Sequence, residues 1–183
     1  VRHMSDLASM ATALGSTMRY TISGNEPLVS LREELSYVEN YLTIQKLRFG
    51  ERLHAEIDVP EYVMGCAVPR VSIQPLVENA ILHGLEQREK PGTIRIGAWT
   101  AGDRLTIEVT DDGQGMTEEE LAQLRSALYA PSPAEERRGI GLRNLYMRLR
   151  LLYDETAQLT LDSEEGIGTV VQIVIPMERR CGL

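Results

Sequence analysis

The chain has 183 residues, a formal net charge of −8, 43% hydrophobic residues and 5% aromatic ones. That length fits one domain, or one domain with a helical appendage, around a core that Leu, Ile and Val must fill. The negative charge argues against nucleic acid or an anionic membrane surface as main partner, and no apolar run approaches the ~18 residues of a membrane span.

No signal peptide is visible, and the two cysteines, Cys66 and Cys181, lie far apart without a metal-ligand spacing. Free thiols in a cytoplasmic protein are the expectation. The start at Val1-Arg2-His3-Met4 reads as a piece that extends further N-terminally in the natural protein.

Met4, Leu7, Met10, Leu14 and Met18 recur at helical spacing and predict a first amphipathic helix, which the Ser23–Pro27 cluster ends. Ser30 with Glu33 predicts a capping box for a second helix. On it Leu31, Leu35, Val38, Leu42 and Phe49 form one stripe, and Ile44 and Leu47 add a second apolar edge. A helix apolar on two sides is expected to be sandwiched, although an ordinary surface helix is the simpler reading.

Gly50 predicts the stop, and Leu53, Ala55, Ile57 and Val59 alternate as a strand. Composition shifts here from helical to strand-and-glycine, so the expected division is 1–50 helical and 51–183 a second domain. Residues 69–87 read as a helix whose regular part begins near Ser72–Gln74, because Pro75 is tolerable only in the first turn. Leu76, Val77, Ala80 and Ile81 form its buried face, and Asn79 and His83 share another.

Strands follow at Thr93–Trp99 and from Arg104 to Asp111, joined by Ala101-Gly102-Asp103. Thr117 with Glu118–Glu120 is a helix start. Residues 130–138 are polar and proline-rich, Leu145, Leu149 and Leu152 propose a helix, and strands at Gln158–Asp162 and Thr169–Pro176 finish the chain.

Three separated features carry chemistry. Asp111-Asp112-Gly113-Gln114-Gly115-Met116 places a carboxylate at a strand end, followed by glycines that let backbone approach a ligand closely. A plain turn is the commoner use of such a stretch. Gly139-Ile140-Gly141 before a helix is a phosphate device, because free N–H groups and the helix dipole face an anion there. It lacks the third glycine and preceding strand of a dinucleotide fingerprint, and no P-loop occurs. The Asn79 side-chain oxygen is a hard ligand suited to Mg²⁺.

In order and spacing these motifs resemble the catalytic domain of sensor histidine kinases of the GHKL ATP-binding superfamily, most closely the LytS/YehU-like group. Gln74–Ala80 with His83-Gly84 looks like the N box. Asp111–Met116 looks like the G1 box, Gly139–Leu142 with Asn144 like the G2 box, and Gly168-Thr169 like the family's last element. Residues 31–53 look like the segment that precedes this domain.

The resemblance implies a two-layer α/β sandwich, a mixed and mostly antiparallel sheet with helices on one face (the Bergerat fold). It implies that Asp111 accepts from the adenine amino group, supported by Gly113, Gly115, Met116 and Thr169. Asn79 would ligate Mg²⁺ on the ATP phosphates and is the expected catalytic residue. Gly139, Ile140, Gly141 and Leu142 would offer backbone to the phosphates. His83 would line the pocket, although a plain polar helix position is an open alternative.

Residues 117–138 would form a mobile lid. Arg137, Arg138 and Arg143 can reach phosphate, although a solvated charge is the commoner role. Partners implied are ATP, the phosphoacceptor helix of the full-length protein, a response regulator and a second copy of the chain, with no nucleic acid. The expected place is the cytoplasmic portion of a membrane-anchored sensor.

Two departures stand out. Leu82 occupies a position where many members carry Lys. None of His3, His54 and His83 has the Asn-Pro-His-Phe context of a phosphoacceptor, so the transfer would be to a histidine outside this chain. ATPases of the superfamily carry a water-activating Glu where this chain has Pro75, and Glu78 points about 100° away from Asn79 on a helix. Binding without hydrolysis is therefore expected. The alternative function is a nucleotide-gated interaction module without phosphotransfer.

Overall fold

The computed structural model describes residues 26–86, 90–129 and 140–177, with the single positions Thr12 and Gly15. Apart from those two positions the helix expected from Met4 to Met18 lies outside the described residues, as do 130–139 and 178–183.

A short strand β1 (Leu28–Ser30) runs into helix α1 (Leu31–Phe49), and Ser30 and Glu33 exchange both hydrogen bonds of the capping box. Gly50 ends the helix at φ 58°, its N–H donating to the Lys46 carbonyl. Leu31, Leu35, Val38 and Leu42 are buried, and Phe49 packs partly buried against the same core. The second apolar edge is not covered in the same way, since Leu47 is 42% exposed.

β2 (Leu53–Asp58) follows, then β3 (Ala67–Pro69), which pairs antiparallel with β1. Each of β1 and β3 is three residues long, too short to show a period in the sequence. Their pairing and the bonds from the Leu31 and Arg32 N–H groups to the Cys66 and Met64 carbonyls, at 2.8 and 3.0 Å, tie α1 down. Cys66 is buried and disulfide-bonded, so the expectation of a free thiol does not hold there.

Helix α2 (Gln74–Asn79) has Pro75 in its first turn and continues as a π-helical stretch, Ala80–Leu85, closed by the Glu86 N–H donating to the Ile81 carbonyl at 3.0 Å. β4 (Gly92–Ala101) and β5 (Arg104–Asp111) form a hairpin through Gly102 at φ 62°. α3 (Glu118–Tyr129), α4 (Ile140–Tyr153), β6 (Gln158–Glu164) and β7 (Gly168–Pro176) complete the chain.

The main sheet has five strands in the order β2-β4-β5-β7-β6. Only β2 and β4 run parallel; the other pairs are antiparallel. Alternate residues Ile94, Ile96, Ala98, Leu105, Ile107, Val109, Leu159, Leu161, Val171, Ile173 and Ile175 are buried beneath the helices. Each large one contributes roughly 1.5–3 kcal/mol by leaving water. The opposite face is polar, with Arg95 paired to Glu56 at 2.8 Å and Gln172 donating to Glu108 at 2.6 Å. This is the expected two-layer, mixed sandwich.

One expectation needs narrowing. The stretch read as a single lid, 117–138, opens with a regular helix. α3 is capped by Thr117 and Glu120, buries Leu121 and Leu128, and is held to β6 by Arg125, which donates to the Leu161 carbonyl at 3.0 and 2.6 Å. Two apolar anchors and a bidentate arginine make that part fixed architecture.

Candidate functional site

β5 delivers Asp111 to the helix-facing side of the sheet, where it is 5% exposed, while its neighbour Asp112 points away and is exposed. The period of two along a strand separates the two carboxylates. Asp112 closes the sheet edge: its Oδ1 accepts from the Thr93 N–H at 2.9 Å, and its own N–H donates to the Thr93 carbonyl at 3.2 Å. Asp111 Oδ1 accepts from the Gly113 N–H at 2.9 Å, which folds the chain back over the carboxylate.

The glycines around Asp111 are there because nothing larger fits. A Cβ on Gly84 would stand 2.9 Å from Asp111 Oδ1, and one on Gly113 would meet Gly84 Cα and stand 2.5 Å from the same oxygen. Two backbones thus meet over one carboxylate. Gly115, at φ 64°, runs against the Glu164 carbonyl, and the Gly166 N–H donates to the Gln114 carbonyl at 2.6 Å. The glycine loop is thereby stitched to the β6–β7 turn.

Thr169 stands directly opposite Asp111 on β7 and is 3% exposed, and Ser163 stands directly opposite Thr169 on β6. Asp111, Thr169 and Ser163 form one row across three strands on the helix-facing side. Ser163 Oγ donates to the Gly168 carbonyl at 2.8 Å, accepts from the Met116 N–H at 2.9 Å and lies 3.0 Å from Thr169 Oγ1. The sequence reading missed Ser163. The available signal was its place two residues after Leu161 and four after Leu159, a polar residue on an apolar stripe.

Helix α2 passes over this row. Gly84 lies at Asp111, and His83 is half-buried beside it in the chain. Asn79 is 8% exposed, and its amide nitrogen has no hydrogen-bond partner among the described residues. A buried amide without a partner costs about 1–3 kcal/mol, and half a turn about its last torsion presents the oxygen in the same place. The donor set therefore fits a bound cation or a polar ligand. At the other end of α2, Pro75 Cβ lies 3.7 Å from where a Cβ on Gly141 would stand, so the first turns of α2 and α4 are neighbours.

Gly84 and Pro75 are roughly 13 Å apart along the helix at about 1.5 Å per residue. Ile140 begins α4, Gly141 is exposed in its first turn and Leu142 is buried, 2% exposed; Gly139 lies outside the described residues. Arg137 and Arg138 also lie outside them, and Arg143 is half-buried. Glu78 is exposed, its carboxylate accepting from Gln74 at 2.6 Å, in keeping with a side chain turned away from Asn79.

The start of α2 is held by a residue that the sequence reading also missed. Glu34 of α1 is fully buried and accepts from the N–H groups of Val71, Ser72 and Ile73 at 2.5, 2.9 and 3.2 Å. No side chain within α2 caps it, and this carboxylate pins the three residues that lead into it and places near its start the negative charge that a helix start favours. Val71 sits at φ 56°, a strained conformation for a β-branched residue. Its carbonyl is gripped by Arg148 of α4 at 2.6 Å.

The family model for the histidine kinase-, DNA gyrase B- and HSP90-like ATPases matches residues 70–179, and a histidine kinase model matches residues 2–53. The sensor histidine kinase YesM of Bacillus subtilis is 36% identical over 170 residues, which are 93% of this chain and 28% of that protein. The sensor protein kinase HptS of Staphylococcus aureus is 31% identical over 166 residues, 91% of this chain and 31% of that protein. The chain thus spans about three tenths of the length of these relatives.

Among solved structures, the histidine kinase domain of an Erythrobacter litoralis blue-light activated histidine kinase superposes with a TM-score of 0.58 at 19% identity, covering 96% of this chain and 76% of that one. The catalytic domain of histidine kinase ThkA has a TM-score of 0.58 at 19% identity, covering 81% of this chain and 93% of that one. At that identity the likeness is one of fold.

Proposed function

Because the chain belongs to the histidine kinase-, DNA gyrase B- and HSP90-like ATPase family, we propose that it is the ATP-binding catalytic part of a two-component sensor histidine kinase. It binds Mg-ATP and transfers the γ-phosphoryl group to a histidine outside this chain, for relay to a response regulator. The observation that carries this reading is the alignment along α2. Gly84 sits at the Asp111 carboxylate, Asn79 is buried with an unpartnered amide, and Pro75 lies beside Gly141 at the start of α4.

In this reading Asp111 and Thr169 receive the adenine amino edge, with Gly113, Gly115 and Met116 shaping the backbone that encloses it. His83 lies beside the sugar and phosphates. The first turn of α4, with Gly139, Ile140, Gly141 and Leu142, presents backbone N–H groups to the phosphates, helped by the positive helix end. Asn79 would hold Mg²⁺, whose charge would neutralise the phosphates. With Pro75 at the position of the usual glutamate and Glu78 turned away, no carboxylate base stands beside Asn79 among the described residues. This part therefore positions and orients, and the nucleophile is an imidazole brought from elsewhere.

Residues 1–50 are assigned to the end of the dimerisation and phosphoacceptor region and its linker, and 51–183 to the ATP-binding domain. The full-length protein is assigned as a homodimer with this part in the cytoplasm. Among the described residues no helix is long and apolar enough to cross a membrane.

The test is to supply the chain preceding Val1, in cis or in trans, and follow phosphohistidine from labelled ATP. Phosphohistidine that requires Asn79 supports the proposal. Tight Mg-ATP binding without any transfer overturns it in favour of a nucleotide-gated interaction module.

A further inference from the structure

The row Asp111–Thr169–Ser163 contains a proton assignment that bears on which base the site accepts. A serine hydroxyl has one proton to give and two lone pairs to receive. Ser163 lies 2.8 Å from the Gly168 carbonyl, which can only accept, so its proton goes there. One lone pair takes the Met116 N–H at 2.9 Å. The remaining contact, 3.0 Å to Thr169 Oγ1, is then possible only with Thr169 as donor. The Thr169 proton is thereby engaged, and its oxygen turns only lone pairs toward its surroundings.

We infer that Ser163 is a specificity-determining residue, which acts by holding the Thr169 hydroxyl as a pure acceptor. This rests on the reading that the Asp111 end receives the base. Asp111 and Thr169 face each other across β5 and β7, both buried on the helix side of the sheet. A carboxylate accepts only, so with Ser163 in place both groups are acceptors. A purine bearing an amine at position 6 brings donors to them. A purine bearing a carbonyl there has a donor only at N1, so at position 6 itself it sets oxygen against oxygen, and no rotation of Thr169 can relieve that mismatch.

Removing Ser163 frees the Thr169 proton, which can then turn to a carbonyl. Asp111 still opposes that base, so discrimination falls without vanishing. Ser163 touches no base itself and works through Thr169 and through the Met116 N–H, which links it to the glycine loop.

The experiment measures dissociation constants of ATP and of inosine triphosphate, which carries a carbonyl in place of the amine, for the whole chain and for Ser163→Ala and Ser163→Thr. The expected result is a wild-type preference for ATP, a preference reduced roughly tenfold in Ser163→Ala, the worth of about one hydrogen bond, and one restored in Ser163→Thr. Ser163→Cys, which keeps the volume with a weak donor, gives an intermediate ratio even if the alanine variant folds poorly.

Equal binding of the two nucleotides by the wild type overturns the base-end reading itself. A wild-type preference that Ser163→Ala and Ser163→Cys leave unchanged, or an equal loss of both nucleotides, overturns the role given to Ser163.

Discussion

The carboxylate of Asp111 is packed against Gly84, so that a single added carbon on the glycine would stand 2.9 Å from Oδ1 and 3.1 Å from Cγ. The residue given the task of reading the base is therefore aimed by the absence of a side chain on the helix above it. Asp111 is also pinned by the Gly113 N–H at 2.9 Å, which leaves it little room to yield.

Gly84→Ala is expected to push the carboxylate off its position and weaken ATP binding about tenfold or more, with a stability cost of about 1–3 kcal/mol from overpacking. Asp111→Asn keeps an acceptor for Gly113 but loses the charge, and is expected to weaken ATP by about 1.5–3 kcal/mol while leaving stability nearly intact. Calorimetric titration with denaturant unfolding of both variants checks the pair. Wild-type ATP affinity in Asp111→Asn would remove the adenine assignment.

Asn79 is buried with an amide nitrogen that finds no partner among the described residues. Asn79→Ala is expected to abolish the Mg²⁺ dependence of ATP binding while leaving adenosine binding mostly intact. Because the amide is unpartnered, its removal should cost less stability than a typical buried polar deletion. Titrations of ATP and adenosine with and without Mg²⁺ separate the two effects, and an unchanged Mg²⁺ dependence would rule out the ligand role.

Glu34 links the helix preceding the sheet to the start of α2 through three N–H groups, those of Val71, Ser72 and Ile73. Glu34→Gln replaces one acceptor oxygen by a donor that faces donors, and is expected to lower stability by about 3 kcal/mol. Because α2 carries Asn79 and Gly84, nucleotide affinity should fall with it. Urea unfolding at saturating ATP and without ATP measures both.

The Tyr41 hydroxyl is pushed up to about 12, first by burial and then by the negative charge of Glu78. A phenol whose folded value lies above its unfolded one contributes stability that is complete below pH 10 and lost as the pH rises toward 12. For a phenol only partly withdrawn from water the loss is below the full ~1.4 kcal/mol per pH unit, because solvent screens part of the effect. Tyr41→Phe should flatten this part of the alkaline stability curve. A slope identical to wild type would show that the phenol does not ionise late.

Most of the sheet and the second helix were legible because their signals are local. Alternation marked Arg104–Asp111, a capping box marked Leu31, and Gly-x-Gly before an apolar period marked Ile140–Tyr153. The short strands β1 and β3 were not, because three residues carry no period and form only by pairing with each other. The π-helical stretch Ala80–Leu85 was not legible either: its residues suit an ordinary helix, and its place is at the contact of Gly84 with Asp111 and Gly113.

The same division runs through the site. By itself the sequence singled out Asp111, Asn79 and the two glycine boxes as candidates, because they are residue types whose spacing has a local meaning. Only the tertiary structure decided how they are held. Glu34 holds the backbone that leads into a helix starting forty residues later, and Ser163 Oγ lies 3.0 Å from the hydroxyl of Thr169 on the next strand. A hydrogen bond between distant residues follows from packing, and no spacing in the chain announces it.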